Sequence, residues 1–171
     1  MTSKVLILDA SVFIYKCRIN DGERITVPAV IDELKDGMSV MSFELAKSAG
    51  MGVEPAEQHY IEMVKKMAKS AGDLNALSET DIALLAKALQ YNGKDTYLVT
   101  DDYAIQNVAS HMGIQVKPIS QKKIKDVLIW EKRCIGCGRY FTREIVCPVC
   151  GSRLKKARCR NHAKVTGRRR E

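Results

Sequence analysis

No stretch of this 171-residue chain reaches the eighteen or so consecutive apolar residues that a membrane-spanning helix needs. The apolar N-terminal piece at 5–15 is broken by Asp9 and has no small-residue cleavage site after it, so a secretory leader is not expected. Without a leader, the six cysteines are not expected to form a disulfide framework, because the cytosol keeps thiols reduced. The chain also has no internal repeat, and its one low-complexity tract is GRRR at 167–170. These absences leave a soluble, cytoplasmic protein with no membrane partner as the expectation.

Acid is scarce in one part of the chain. Residues 1–128 carry 15 Lys+Arg against 17 Asp+Glu, whereas residues 129–171 carry 13 against 3. The net charge of +8 therefore belongs to the C-terminal quarter. That asymmetry fits a chain in which one part binds a polyanion and another does something else; a solvated basic tail gives the same numbers. An apolar content of 46% is enough for one ordinary core plus a small appendage.

KVLILD at 4–9 is a short, continuous apolar run ending in an acid, the pattern of a strand buried on both faces of a parallel sheet. A helix is expected over 10–17, a turn at Asn20-Asp21-Gly22, a brief apolar piece at 25–27, and a helix entered through Pro28. Between 55 and 71, Tyr60, Ile61, Val64, Met67 and Ala68 recur at helical spacing with Lys65, Lys66 and Lys69 elsewhere on the wheel. The methionines of this half are read as core filler. Ser78 and Asp81 have the spacing of a capping box, so a helix over 79–90 is expected after them. A strand over 96–100, a helix over 103–112 and a strand over 114–116 complete the pattern. Strands alternating with helices indicate an α/β fold with a mainly parallel sheet.

Asp9 and Asp101 each follow an apolar strand, where ligands bind in open α/β folds, while Asp81 lies in the first turn of a helix and Glu33 on a helix after a short strand. Carboxylates brought this close repel one another unless a hard cation takes up the charge, and a divalent ion so held can activate water for phosphodiester hydrolysis. Each acid also has a plain structural reading, as an N-cap, a capping-box partner or an exposed helical residue.

Four segments, VLILDAS at 5–11, PAVIDEL at 28–34, ETDIALLA at 79–86 and LVTDDY at 98–103, resemble the successive signature blocks of the PIN-domain nucleases across the first two-thirds of the chain. The resemblance implies a parallel sheet flanked by helices and Mg²⁺- or Mn²⁺-dependent cleavage of single-stranded RNA by in-line attack of water. It places the catalytic acids at Asp9, Glu33, Asp81 and Asp101, the first, third and fourth of these as Mg²⁺/Mn²⁺ ligands. Ser11 and Thr100 become polar helpers and Asp102 a fifth acid.

CIGCG at 134–138 and CPVCG at 147–151 form two near-identical knuckles. Cys134, Cys137, Cys147 and Cys150 at this spacing can close a tetrahedral Zn²⁺ site, structural because no coordination position stays open. The metal would supply folding energy to a module of about 25 residues, too small for a core of its own. Basic residues crowd the ribbon and the segment after it: Arg139, Arg143, Arg153, Lys155, Lys156, Arg158 and Arg160. These can neutralise phosphates, and Tyr140 can either stack on an unpaired base or plug the ribbon. The expected organisation is a PIN-like nuclease domain at 1–117, a linker at 118–128, a zinc ribbon at 129–154 and a basic tail at 155–171.

A PIN-like domain followed by such a ribbon and tail resembles the archaeal Nob-type endonucleases, which trim the 3′ end of small-subunit ribosomal RNA. The resemblance implies precursor ribosomal RNA within an immature small subunit as substrate and partner. A non-catalytic RNA-binding assembly factor and a toxin-type PIN ribonuclease are the alternatives.

Overall fold

The computed structural model describes residues 4–19, 21–92, 95–119, 128–141 and 144–160 and falls into two compact units, Met1–Ile124 and Lys125–Glu171. In the first unit, strand β1 (Val5–Leu8) is buried at all four positions, which explains why its sequence is continuously apolar rather than alternating. Parallel neighbours flank it: β2 (Glu23–Thr26) on one side and β4 (Thr96–Val99) on the other. Strands β3 (Gly52–Val53) and β5 (Gln115–Lys117) close the edges in the order β3-β2-β1-β4-β5, parallel throughout.

This order fixes the site. The chain winds outward from β1 in both directions, so a crevice opens at the carboxyl ends of β1 and β4. Leu8 pairs with Val99, so the next residues, Asp9 and Thr100, fall side by side on that edge.

The helices cover the sheet. α5 (Glu79–Gln90) buries Leu84, Leu85, Ala86 and Ala88 and packs on β1, β4 and α4 (Gln58–Ala71). α6 (Tyr103–His111) buries Ile105, Val108 and Ala109. α1 (Ala10–Ile14) stops three residues short of the expected helix, with Lys16 in the left-handed region at φ 55. α2 (Ala29–Glu33) follows Pro28 as expected. The sequence pattern did not anticipate β3 or α3 (Gly37–Ser48). Met51 and Met112 are buried as core filler, whereas Met38, Met41 and Met63 are exposed.

Lys87 on α5 is a buried cation. Its ammonium pairs with Glu54 at 3.0 Å, donates to Gln90 at 3.2 Å and lies over the Tyr91 ring, whose hydroxyl donates to the same Glu54. The Lys87 hydrogen bond, followed by that of Tyr91, holds the Glu54 carboxyl below its usual range. Glu54→Gln is expected to lower stability by about 1 to 2 kcal/mol, because Lys87 keeps two partners and the carboxylate is partly exposed. A depressed carboxylate stabilises the fold above its unfolded pKa and loses that contribution as pH falls through the folded one. The gap between wild type and variant in urea midpoints should therefore close below about pH 4.

The second unit is a three-stranded antiparallel sheet in the order β7-β6-β8, built from β6 (Leu128–Cys134), β7 (Tyr140–Phe141) and β8 (Leu154–Arg160). β6 and β8 pair along their whole length, from Leu128↔Arg160 to Cys134↔Leu154. The segment expected to begin a tail at 155 is thus strand as far as Arg160. Its basic residues obscured this, but charge does not oppose a strand whose Lys155 and Lys156 side chains face solvent. Most of the expected linker (120–127) and the tail from 161 onward lie outside the described residues.

Candidate functional site

Asp9 caps α1, its Oδ1 accepting the Ala10 N–H at 2.7 Å. Its Oδ2 accepts two hydroxyls, Ser11 at 2.8 Å and Thr100 at 2.7 Å. The first hydroxyl comes from the helix Asp9 starts and the second from the neighbouring strand end, so the carboxylate is clamped across the β1/β4 edge. Both Asp9 and Thr100 are buried, and the two hydroxyls are those of the residues that the family resemblance names as polar helpers.

Asp81 and Ser78 form the expected capping box: the Ser78 hydroxyl accepts the Asp81 N–H at 3.1 Å, and the Asp81 carboxylate accepts the Ser78 N–H at 2.7 Å. Burial first, and then the charges of Asp102 and Asp9, push the Asp81 carboxyl up, against the lowering effect of its Ser78 bonds. Asp9, Asp81 and Asp102 therefore share one electrostatic neighbourhood.

The cap of α6 is one residue later than the strand-end pattern suggests. Asp102, not Asp101, accepts the N–H groups of Ala104 at 2.6 Å and Ile105 at 3.2 Å. Asp101 is buried, and its carboxylate accepts the Ile119 N–H at 2.8 Å, just past β5. Glu33 ends α2, which packs on α1 and α5, the helices that Asp9 caps and Asp81 opens. The residue is half-buried. Its place on α2 brings it to the helices that carry the other acids, without a described hydrogen bond to any of them.

In the second unit, the sulfurs of Cys134, Cys137, Cys147 and Cys150 all lie within 4.8 Å of one another. Two pairs, Cys134–Cys150 at 3.3 Å and Cys137–Cys147 at 3.5 Å, approach the separation of about 3.8 Å that tetrahedral Zn–S bonds of about 2.3 Å impose. The backbone N–H groups of Gly136 and Cys137 both point at the Cys134 sulfur, 3.4 Å away. The Ser152 hydroxyl and amide lower the Cys150 thiol to about 6, while, against the lowering effect of the Arg139 backbone, burial and the neighbouring cysteine sulfurs push the Cys137 thiol up to about 11. A Cβ at Gly136 would stand 2.5 Å from the Ser152 hydroxyl and 3.3 Å from the Cys150 sulfur, so a larger residue there would have to displace the Ser152 side chain. The donor set fits a structural four-thiolate site.

Arg139, Arg153, Lys155 and Lys156 are exposed, and Tyr140 is half-open to solvent, so it does not plug the ribbon. The whole of Arg143 and the side chains of Arg158 and Arg160 lie outside the described residues. Strand register adds Arg133, which the sequence pattern did not single out. It faces Tyr140 on β7 and Lys155 on β8, with its guanidinium 5.9 Å from the Tyr140 ring centre. Only strand pairing could reveal that, because Arg133 sits just before the first knuckle and reads as part of it.

Set beside known proteins, residues 6–91 match the family described as the PIN domain of ribonuclease. The chain belongs to the PIN-domain ribonuclease family. It is 44% identical over 139 residues to the Endoribonuclease Nob1 of Archaeoglobus fulgidus, covering 80% of this chain and 81% of that one. Against the Endoribonuclease Nob1 of Pyrococcus abyssi the figures are 38% over 156 residues, 88% and 91%. The Ribonuclease VapC1 of Thermoplasma acidophilum is 33% identical over 154 residues, 89% of this chain and 77% of that one. Nob1 endoribonucleases and a VapC ribonuclease thus both fall within reach of this PIN chain.

PIN domains are metal-dependent nucleases, and the acid edge here fits a divalent cation in its charge. Among the described residues no ion pair reaches Asp9, Asp81 or Asp102, so the negative charge is left for something else to balance. Among the described residues only the four cysteines gather as closely as a ligand set; the acids do not form a closed cage. A divalent ion bound at this edge would supply charge neutralisation and a more acidic water. The Ser11 and Thr100 hydroxyls hold the Asp9 carboxylate, the capping box holds Asp81, and the α6 cap holds Asp102.

Proposed function

We propose that this PIN ribonuclease matures the 3′ end of small-subunit ribosomal RNA in the cytoplasm, acting on precursor RNA within the immature small subunit. The observation that supports it is Asp9, clamped by Ser11 and Thr100 at the switch point of the sheet, beside Asp81 and Asp102. In this reading Mg²⁺ or Mn²⁺ is held by Asp9 and Asp81 with Asp102, Glu33 contributes from α2, and Asp101 holds the chain leaving β5. Zn²⁺ at the four cysteines builds the ribbon, whose Arg139, Tyr140, Arg153, Lys155 and Lys156 contact RNA, with Arg143, Arg158 and Arg160 adding charge. The resemblance to Nob-type endonucleases and the Nob1 relatives support the ribosomal substrate.

The relative named VapC1 motivates a second reading, a toxin-type ribonuclease acting on transfer or messenger RNA. Incubation with Mn²⁺ and an RNA carrying the extended 3′ end, alongside transfer RNA, separates the two. The ribosomal reading expects one cut near the mature 3′ end in mapped 3′ termini. Preferential cleavage of transfer RNA would select the toxin reading.

A further inference from the structure

α3 is apolar on two sides. Its inner side buries Phe43, which meets Phe13 of α1 edge to face with ring centres 5.3 Å apart. Its outer side shows Met38, Met41 and Leu45 at helical spacing, 55%, 57% and 61% exposed. Single exposed apolar residues need no explanation, but a stripe beside a cavity does. Between α3 and α1 lies a groove of about 590 Å³, with Leu8, Val12, Phe13 and Ala46 among its lining residues.

The rim of that groove is cationic. Lys16, Arg18 and Arg24 line it, and no carboxylate does. Arg24 also braces the groove, donating to the Ile19 carbonyl at 3.2 Å and the Ala49 carbonyl at 2.6 Å. The groove is thus held open by the fold rather than waiting to be formed, which lowers the cost of filling it.

We propose that this groove docks an acidic amphipathic helix of a partner protein, with its apolar stripe against Met38, Met41 and Leu45 and its carboxylates toward Lys16 and Arg18. Charge complementarity decides the occupant. This chain's own segments outside the described residues, 120–127 and 161–171, carry more Lys+Arg than Asp+Glu and are repelled by the rim. An RNA strand meets an apolar floor whose one aromatic lining residue, Phe13, is buried. A helix with apolar residues at i, i+3, i+4 and i+7 flanked by Glu satisfies both floor and rim, and flexible methionines let such a surface adapt to it.

The test uses the full chain and a labelled synthetic helix of roughly 18 residues, about 27 Å long, with leucines at that spacing flanked by Glu, beside a counterpart carrying Lys in place of Glu. Fluorescence anisotropy should show the acidic peptide binding at least about tenfold tighter than the basic one, a difference set by long-range charge and sensitive to salt. Lys16→Glu/Arg18→Glu should erase that preference. Met41→Glu/Leu45→Glu should abolish binding, and since both residues are exposed, the far-ultraviolet circular dichroism should be unchanged. Equal binding of the two peptides, or binding that survives Met41→Glu/Leu45→Glu, overturns the proposal. So does a wild-type dimer in sedimentation that the same variant dissolves, which assigns the groove to a second copy. An RNA oligonucleotide whose affinity falls about tenfold in that variant overturns it in favour of nucleic acid.

Discussion

Asp9→Asn is expected to lower RNA cleavage at least about a thousandfold while leaving the folded protein as stable as before, or more so. The asparagine keeps the shape of the aspartate. Its carbonyl can still accept the Ala10 N–H, and the Ser11 and Thr100 hydroxyls can rotate to accept from its amide. The substitution removes a buried negative charge that no cation pairs with among the described residues, and a neutral amide of the same shape is cheaper to bury than a carboxylate. Loss of activity with equal or raised unfolding temperature is the signature of a residue kept for chemistry at the expense of stability. The same variant supplies a readout independent of turnover: Mn²⁺ should raise the unfolding temperature of wild type through preferential binding to the folded state and raise that of Asp9→Asn much less. Undiminished cleavage, or an identical Mn²⁺ response, would refute the acid-edge mechanism.

The neighbouring acids sharpen that test. Asparagine caps helices as well as aspartate does, so Asp102→Asn should preserve α6 and report the charge alone. Asp101→Asn should retain an acceptor for the Ile119 N–H. Because the charges of Asp102 and Asp9 act on the Asp81 carboxyl, Asp102→Asn should cost more activity than Asp101→Asn. The opposite ranking would favour Asp101, the acid that the family resemblance names.

The parallel sheet was legible because β1 and β4 are buried in the middle of it and so read as unbroken apolar runs, and because the Ser78–Asp81 capping box marks the start of the helix that leads into β4. α3 was not. With Met38, Val40, Met41, Phe43 and Leu45 spread around its circumference, it shows no single apolar stripe, and periodicity has nothing to detect. The same distribution is what leaves an exposed stripe beside the α1 groove. The acids show the converse limit. Sequence read Asp9, Asp81 and Asp101 onto one edge, but it could not say which of Asp101 and Asp102 caps α6, a one-residue register that only backbone geometry sets. The structural readings of Asp9 and Asp81 hold, as N-cap and capping-box partner, whereas the α6 cap expected at Asp101 falls on Asp102; a cap is compatible with a further role because it fixes where a carboxylate points.

Replacing Cys147 with Ser, or removing the metal with a strong chelator, is expected to unfold the second unit while the first stays folded. The reason is size. Among the described side chains of this unit only Cys134 and Cys147 are buried, and the apolar residues around the knuckles, Ile135, Ile145, Val146 and Val149, are exposed, so the knuckles have little but the metal to hold them together. A structural four-thiolate site contributes about 10 kcal/mol or more of apparent binding energy, far above what three short antiparallel strands supply alone. Because Cys134 ends β6 and Leu154, its partner, opens β8, release of the metal removes the closure of that sheet and disperses the row of Arg133, Tyr140 and Lys155. RNA affinity should then fall, and its dependence on salt should flatten, since every phosphate the protein no longer neutralises takes about one unit off the slope of log affinity against log salt. Hydrogen exchange with and without chelator locates the unfolding, and titrations at several salt concentrations read the slope. A chelated protein with an unchanged salt slope would show that the ribbon does not carry the RNA contacts, whatever its metal does for its own fold.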